Sequence, residues 1–514
     1  MRMKRFLSFM LAAVMLASMA ISASAATTLY YAQDFSSYTT IDGLLADTAN
    51  WKGGSDPSSS AYNAITESAS TGKNMLSRSS GIAGLSDSGP ELVTANGVNW
   101  LSLHNAASVK TVDAWFVVVP DNTWDYAAES AKNETYIVSY DLKVNSRDVR
   151  QKTDMHQQTL WTDGTSANNQ FDYIFNLRKD DAESEAAPII MHAQKTQYNG
   201  EGKDYTLTND TAYKLAASYT AKYNASGVVQ NAPAKATYVN GATETSGGNA
   251  GYVKTTVSKL GALAIRYAYD YTMQISNIKM YTISNAANAF NVSRVGTGTI
   301  PTTGATVTVK ISQPVYAPSF DPDAVTIEGL VNGEDFLVSD VTEVVGNVGS
   351  EIYSTATVSF LTNLEDASDY TITFPATIKN EIGTELGTNN KVTVTTPTPD
   401  VFVSNQVITK AWGTAAATTV SSFAADGVYG VSQDIKNNTL AAKDFSIIYA
   451  VYAGGKLADV VYANENIAGG ATSTIGAGVN LPAATAGGQV KAFIWDGLTS
   501  IKPHTEAAVW NIAE

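Results

Sequence analysis

Cysteine is absent from the 514-residue sequence. A chain that leaves the cell without disulfides has to be stabilised by core burial alone. Large β-domains bury enough apolar surface for this, whereas small disulfide-dense secreted modules are excluded. The missing cysteine therefore favours large domains, and the length predicts about three of them.

Basic residues are outnumbered, with 33 Lys and Arg against 48 Asp and Glu and a net charge of −15. This acidic balance argues against nucleic acid, anionic membranes and strongly anionic polymers as main partners. Solubility outside the cell is a sufficient reason for the charge.

Long apolar runs are absent except at the N-terminus. Arg2, Lys4 and Arg5 form a basic head, residues 6–20 form an apolar run, and residues 23–25 form an A-x-A cleavage pattern. A membrane anchor requires about 20 apolar residues, and this run is shorter. The pattern is typical of a secretory signal peptide over residues 1–25. We therefore expect a secreted, extracellular protein without membrane insertion, with cell-surface association as a further alternative.

Helical periodicity is nearly absent after this leader, and short alternating runs between turn residues dominate. This pattern predicts an all-β protein. Residues 27–284 contain about ten such runs, too many for one immunoglobulin-type module and suited to a two-sheet jelly roll. Residues 286–396 and 401–514 each predict a smaller β-sandwich, and a Pro-containing linker separates the two.

The stretch at residues 264–283 predicts the strand that closes the first domain. Apolar side chains alternate from Ile265 to Ile275, and the alternation continues on the other phase at Ile278 and Met280. A β-bulge near Ser276 accounts for this slip, because one extra residue re-aims the side chains that follow.

Four segments of the first domain resemble the concanavalin A-like lectin/glucanase (laminin-G-like) jelly rolls of bacterial secreted proteins. They are YYAQDF at 30–35, ETYIVSYDLKV at 134–144, YKLAASYTAKYN at 213–224 and MQISNIKMYTI at 273–283. The resemblance implies that the first and last strands lie side by side. It carries no catalytic signature and therefore supports the fold more than the function.

The two later domains show resemblances of their own. VTVKISQPVYAPSFDPDAVTI, which begins at Val307, is similar to immunoglobulin-like (Ig-like) modules of bacterial S-layer and surface proteins. VKAFIWDGLTSIKP, which begins at Val490, resembles a C-terminal accessory module of secreted clostridial-type proteins. Both resemblances imply spacer or accessory roles.

Catalytic patterns are missing from the sequence. A jelly-roll glycosidase needs carboxylates on alternate residues of one strand, and the nearest match, residues 181–185, has small spacers and predicts a solvated loop. The four histidines have no zinc-like spacing. A polysaccharide lyase needs a Tyr or His base and an Arg or Asn that neutralises a uronate. The chain has such residue types without a family motif: Arg147, Arg150, His156, Asn176 and Arg178.

Aromatic and polar residues suited to sugars occur in the first domain, since aromatic faces stack on pyranose rings and polar groups bind hydroxyls. Trp124 and Tyr126 fall in one predicted loop and Trp161 in another, where either anchoring of the loop or ligand contact is expected. Polar residues occupy the predicted non-core side of two strands, and they form a ligand face only if those strands line the concave sheet: Asp172, Asn176, Arg178 and His192.

No cofactor is required by these patterns, and one structural Ca²⁺ is conceivable. Asp34 and Asp270 lie in the two terminal strands that the resemblance pairs. Ca²⁺ takes about six to eight oxygens, and two carboxylates fall well short of that number. The favoured interpretation is that Asp34 caps a turn and Asp270 is an exposed strand residue.

The leading hypothesis is a secreted multidomain protein that binds a polysaccharide or a cell-surface glycan through the jelly roll. One alternative is an extracellular polysaccharide-degrading lyase or hydrolase, although the missing motifs argue against an enzyme. Another alternative is a structural or adhesive surface protein without sugar binding.

Overall fold

The structure is a computed structural model. It describes residues 27–55, 71–78, 90–103, 114–145, 155–161, 171–179, 189–193, 204–229, 233–249, 259–267, 272–425, 427–496, 503–504 and 507–513. The predicted signal peptide, residues 1–25, lies outside these ranges. So do Asp270 and the loop at residues 181–185.

The first seventeen strands build two large sheets with one short helix, α1 (Ile41–Ala46), and one 3-10 turn at Glu129–Asn133. The strands are β1 (Thr28–Gln33), β2 (Trp51–Ser55), β3 (Asn74–Arg78), β4 (Glu91–Ala95), β5 (Val98–Leu103), β6 (Ala114–Val118), β7 (Trp124–Asp125), β8 (Glu134–Asn145), β9 (Met155–Trp161), β10 (Phe171–Lys179), β11 (Ile189–Ala193), β12 (Asp204–Leu207), β13 (Tyr213–Thr220), β14 (Ala234–Val239), β15 (Ala242–Asn249), β16 (Lys259–Tyr267) and β17 (Thr272–Ser284).

The two sheets exchange strands along the chain, as a jelly roll requires. Sheet A has the order β15-β14-β13-β8-β17-β5-β4, and β1 also pairs with β17. Sheet B has the order β12-β11-β10-β9-β16-β6-β3-β2, and β7 also pairs with β16. The predicted all-β, two-sheet architecture is confirmed, and so is the pairing of the first strand with the last.

One core lies between the two sheets. Alternate residues of β8, such as Tyr136 and Tyr140, face alternate residues of sheet B, such as Phe116, Leu177 and Leu263, and all are buried. We call the side of each sheet that faces this core its core face and the other side its outer face. Because side chains alternate along a strand, the buried residues assign every other position to the outer face.

The predicted closing strand is divided between the sheets. Residues up to Tyr267 belong to β16 in sheet B, whereas β17 in sheet A begins at Thr272, so the prediction of one continuous strand was wrong. The predicted bulge is confirmed, because the register of β17 with β8 shifts between Ser276 and Lys279. Asn277 adopts a left-handed φ of 48° at this point.

The bulge has a consequence for both faces of sheet A. Met273 and Ile275 before it and Ile278 and Met280 after it all reach the core. Lys279 and Tyr281 therefore alternate onto the outer face, where they are nonetheless almost fully buried.

Residues 292–395 form a five-stranded sheet, sheet C, and a three-stranded sheet, sheet D. Sheet C has the order β18-β19-β23-β21 with β22 paired to β23, and sheet D has the order β20-β24-β25. The strands are β18 (Val292–Arg294), β19 (Thr306–Ile311), β20 (Thr326–Ile327), β21 (Phe336–Val338), β22 (Thr342–Val345), β23 (Ile352–Phe360), β24 (Asp369–Thr373) and β25 (Lys391–Thr395).

Residues 401–513 form two further sheets around a separate core. Sheet E has the order β27-β26-β29-β32, and sheet F has the order β28-β34-β33-β30-β31. The strands are β26 (Val401–Lys410), β27 (Thr418–Val420), β28 (Phe423–Ala424), β29 (Gly427–Asn437), β30 (Lys443–Ala453), β31 (Lys456–Ile467), β32 (Thr472–Leu481), β33 (Gln489–Trp495) and β34 (Ala508–Ala513).

The chain divides into two compact units. The first contains sheets A to C and nearly all of sheet D; the second contains sheets E and F, together with residues 299–303 and 363–369. Within the described ranges, no helix has the length and apolar character needed to cross a membrane.

Candidate functional site

The two aromatic residues expected in a ligand-binding loop are core residues instead. Trp124 and Tyr126 are each 2% exposed. Pairing of β7 with β16 draws this segment into sheet B, and the Trp124 indole stacks on the Tyr136 ring at 5.5 Å and 7°. Both rings contribute to the core, and their assignment as ligand contacts is corrected.

Trp161 also lies in a strand and not in a loop. It is the last residue of β9, and its register partner Leu260 is fully buried in the core. Directly opposite residues of paired strands share a face. Position 161 therefore belongs to the core face of sheet B. The loop predicted to carry Trp161 is not formed there.

Two of the polar residues predicted on the middle strands, Asn176 and His192, are register partners on sheet B. His192 is the register partner of both Asn176 and Asp204, and Asn176 is also the partner of His156. Phe175, Leu177 and Met191, which alternate with them, are buried in the core. The four polar residues thus form one row across β12, β11, β10 and β9 on the outer face, and we call it the polar row.

Asp172 does not belong to this face. The register of β10 with β9 shifts between Tyr173 and Asn176, and Ile174 and Phe175 inside the shift are both buried. A bulge of this kind exchanges the faces of all residues before it. Tyr173 therefore shares the outer face with Asn176 and Arg178, whereas Asp172 shifts to the core-face set. The prediction that one face carries all four polar residues was wrong for Asp172.

The outer face of sheet B has an apolar part and a polar part. Met75, Val117, Ala262 and Ala264 form a buried apolar cluster over β3, β6 and β16. The polar row covers the neighbouring strands, and its end residue Asp204 is exposed. Because all four residues of the apolar cluster are fully buried, the polar part of this face is the candidate ligand surface.

Sequence reasoning missed two further residues of this face. Trp115 and Arg266 are register partners on β6 and β16. Phe116 and Ile265, their chain neighbours, are buried in the core, so positions 115 and 266 belong to the outer face. Trp115 lies in the apolar run at residues 114–119, which by itself does not distinguish a core position from an outer-face position. The alternation of Trp115 with Phe116 was the signal that could have assigned these two residues to opposite faces of the strand.

The outer face of sheet A is filled by the segment that carries sheets C and D. Leu29, Ile137 and Tyr281 of sheet A are buried against Ile352 of β23 and Ile382. The edge strand β1 is held there as well, since the Leu29 amide donates to the Ser350 carbonyl at 2.9 Å and the Gly349 amide donates to the Leu29 carbonyl at 2.7 Å. The outer face of sheet A is therefore covered by the protein's own chain.

A buried carboxylate lies at the centre of this contact. Glu381 is 1% exposed. It accepts hydrogen bonds from Lys279 Nζ at 2.6 Å, Ser139 Oγ at 2.7 Å and Tyr281 OH at 2.8 Å. Lys214 Nζ lies 3.3 Å from Oε1 of Glu381. We call these five residues the Glu381 cluster.

Further acids complete the charge balance of the Glu381 cluster. Lys279 Nζ also lies 2.5 Å from Glu343, and Lys214 Nζ lies 2.7 Å from Asp141. Burial alone would raise the pKa of Glu381, but the ammonium groups of Lys279 and Lys214 outweigh it and hold the pKa well below its ordinary value. Glu381 is therefore ionised in the folded protein.

This shift predicts acid sensitivity of the folded state. Because the folded pKa of Glu381 lies below the unfolded value, its contribution to stability is present above about pH 4.5 and is lost as the pH falls further. We expect the stability difference between wild type and Glu381→Gln to be constant from about pH 7 to pH 4.5 and to shrink as the pH falls from about 4.5 to 3. Urea unfolding of both proteins across this range measures it. A difference independent of pH would contradict the assignment.

Asp34 caps a turn, as the favoured interpretation predicts. Its carboxylate accepts the Ser36 amide at 2.9 Å and the Ser36 hydroxyl at 2.7 Å. Asp270, the other proposed Ca²⁺ ligand, lies outside the described residues. Within the described ranges, no three His, Cys, Asp or Glu residues are grouped closely enough to hold a metal ion. The Ca²⁺ site stays a prediction.

No protein-family model and no curated protein sequence matches the chain. Among solved structures, the chain is similar to an alginate lyase from a Chlorella virus (13% identity, 38% of this chain and 88% of that chain, TM-score 0.25). It is also similar to the Pseudomonas aeruginosa alginate lyase (8%, 37% and 84%, TM-score 0.23) and a Lotus tetragonolobus seed lectin (9%, 38% and 91%, TM-score 0.24). At these identities the likenesses concern the fold alone.

Proposed function

We propose that the chain is a secreted carbohydrate-binding protein whose jelly roll binds a polysaccharide or a cell-surface glycan on the outer face of sheet B. The observation that carries the proposal is the polar row, in which His156, Asn176, His192 and Asp204 lie side by side on four neighbouring strands. Export is part of the proposal and rests on the N-terminal leader pattern.

The composition of the polar row suits sugar hydroxyls. Imidazole, amide and carboxylate groups together offer hydrogen-bond donors and acceptors. Neighbouring strands lie about 4.8 Å apart, so four of them extend over roughly 14 Å. This length favours an oligosaccharide segment over a single ring. Trp115 and Arg266 continue the same face toward the apolar part.

The packing of the first unit supports the choice of face. The outer face of sheet A already buries Ile137 and Tyr281 against sheet C and its neighbouring loop. Its polar residues have partners too: Asp141 pairs with Lys214, and Lys143 lies 4.0 Å above the Trp100 ring. The polar residues on the outer face of sheet A therefore already interact within the protein's own chain.

Substitutions in the polar row test the proposal. We expect Asn176→Ala and His192→Ala together to weaken glycan binding about tenfold or more, because each lost hydrogen bond contributes about 0.5–1.5 kcal/mol and tenfold corresponds to about 1.4 kcal/mol. A glycan array with the full chain identifies the glycan, and calorimetry then measures the affinities.

Asn347→Ala is the matched control, since Asn347 is exposed in the loop before β23. It should leave the affinity unchanged. Equal affinity of the double variant and wild type would place the glycan elsewhere. Absence of binding to any plant, fungal or bacterial glycan would favour a structural or adhesive role.

Polysaccharide cleavage is the second candidate, and one observation favours it. The register places His156 and His192 on either side of Asn176, which combines a base with an amide able to stabilise a carboxylate. In a lyase, the base removes the proton next to the uronate carboxylate, a carbon–carbon double bond forms, and the glycosidic oxygen leaves with a proton. Ultraviolet absorbance of an unsaturated product, lost in His156→Ala or His192→Ala, would establish this activity.

A further inference from the structure

The second unit contains a tryptophan laid flat on two glycines. Gly430 of β29 and Gly478 of β32 are register partners in sheet E. A methyl group on Gly430 would lie 1.9 Å from Cε3 of Trp412, and one on Gly478 would lie 2.9 Å from its Cδ1. The six-membered ring therefore covers Gly430 and the five-membered ring covers Gly478. Only residues without a Cβ allow the indole to lie this close to the sheet.

The turn that carries Trp412 is held in a strained conformation. Strand β26 ends at Lys410, and Ala411 follows with a φ of 56°. Left-handed backbone at a residue other than glycine costs roughly 1–2 kcal/mol. The Ala411 amide donates to the Val428 carbonyl at 2.9 Å, and this bond fastens the turn to β29. At this left-handed residue the chain turns back over sheet E. The turn places the half-buried Trp412 indole on the outer face of the sheet.

A strip of outer-face positions with short side chains leads away from the indole along β29 and β32, and we call this strip the trough. Its next floor positions are the register partners Ser432 and Gly476, which carry small or no side chains. Beyond them, the Asp434 carboxylate accepts hydrogen bonds from Asn405 Nδ2 at 2.6 Å and from the Thr474 hydroxyl. Asp434 is four residues from Gly430, which corresponds to about 13 Å along the strand. An aromatic face and a polar group thus mark the two ends of the trough.

We propose that this trough is a second carbohydrate-binding site that takes a neutral polysaccharide. A pyranose ring stacks on the free face of Trp412, the chain follows the glycine floor, and its hydroxyls donate to Asp434. The carboxylate attracts hydroxyl donors and repels uronate or sulfate groups, so charge complementarity favours a neutral polymer. A protein partner needs about 1,000 Å² or more of contact, which one ring and a narrow trough do not supply.

Affinity electrophoresis of the full chain tests the site with barley β-glucan, xylan and galactomannan as probes. We expect at least one of these polymers to retard the wild type. Trp412→Ala should weaken that binding at least tenfold. Phe402→Ala is the matched control because Phe402 is a 52% exposed aromatic residue on the same sheet. Its register partner Lys436 lies six residues from Gly430, so about 20 Å away.

Three outcomes would overturn the proposal: no retardation of the wild type by any of the three polymers, unchanged binding of a folded Trp412→Ala variant, or equal loss in Phe402→Ala. If Trp412→Ala does not fold, Gly478→Ala decides, since its methyl group displaces the indole without removing it. It should then weaken binding, and full affinity of a folded Gly478→Ala variant would overturn the proposal. The polar row of sheet B lies in the other unit, so its substitutions give a separate readout.

Discussion

Replacing Glu381 by glutamine is expected to lower the free energy of unfolding of the first unit by about 1–3 kcal/mol. Losing a charged, hydrogen-bonded partner away from water has this magnitude. The loss stays below the about 3–5 kcal/mol of a fully uncompensated buried charge, because Lys279 keeps Glu343 and Lys214 keeps Asp141 as partners. The Lys279 side chain is 4% exposed and the Lys214 side chain 16% exposed, so water cannot replace the missing charge at Lys279. Ser139 and Tyr281 would keep an oxygen acceptor, which is why the effect is attributed to charge.

Urea unfolding of the full chain measures this loss. Glu351→Gln is the matched control, because it removes the same charge from the Lys310–Glu351 pair, whose side chains are 19% and 40% exposed. A partly exposed pair contributes only about 0–1 kcal/mol. Equal losses for the two variants would show that the Glu381 cluster does not stabilise the contact between sheet A and the chain of sheets C and D.

Trp124→Ala is expected to destabilise the first unit by about 3–5 kcal/mol, since truncating a buried Trp removes its transfer free energy and leaves a cavity. The indole is 2% exposed and stacks on Tyr136, which is itself fully buried. Aromatic stacking adds about 0.5–1.5 kcal/mol to the effect of burial alone. Denaturant unfolding of the variant measures the loss.

The same variant separates a core role from a ligand role. Under conditions where Trp124→Ala is still folded, its glycan affinity should equal that of wild type, whereas His192→Ala should bind more weakly at unchanged stability. Trp124→Phe retains part of the core and should lose less stability than Trp124→Ala. A stable Trp124→Ala variant with reduced glycan affinity would instead support ligand contact by Trp124.

Local pattern was sufficient where one strand carried the whole signal. The phase change between Ile275 and Ile278 predicted the bulge at Ser276, because side chains on both sides of it had to reach the same core. The alternation in β8 and the count of short strands predicted the two-sheet, all-β fold. The approximate positions of the polar residues on β10 and β11 were also readable, since a strand places them on alternate sides.

Register between strands was not readable in the same way. The bulge at residues 174–175 exchanges the faces of Asp172 and Tyr173, and no change of residue type marks it. Trp124 lies among polar residues, yet its pairing with β16 turns it into the core. Glu381 follows β24 by eight residues in a segment of turn-like composition, and nothing local distinguishes it from a solvated acid.

By itself, the sequence determined the fold class and the set of polar side chains available for a ligand, because these depend on composition and on periodicity within single segments. Only the tertiary structure decided which of those side chains share a face, which carboxylate is buried and where Trp412 lies. These properties depend on contacts between residues as distant in sequence as Ser139 and Glu381. The free energies of burial and of ion pairing decide which of these contacts form, and local conformational preference does not.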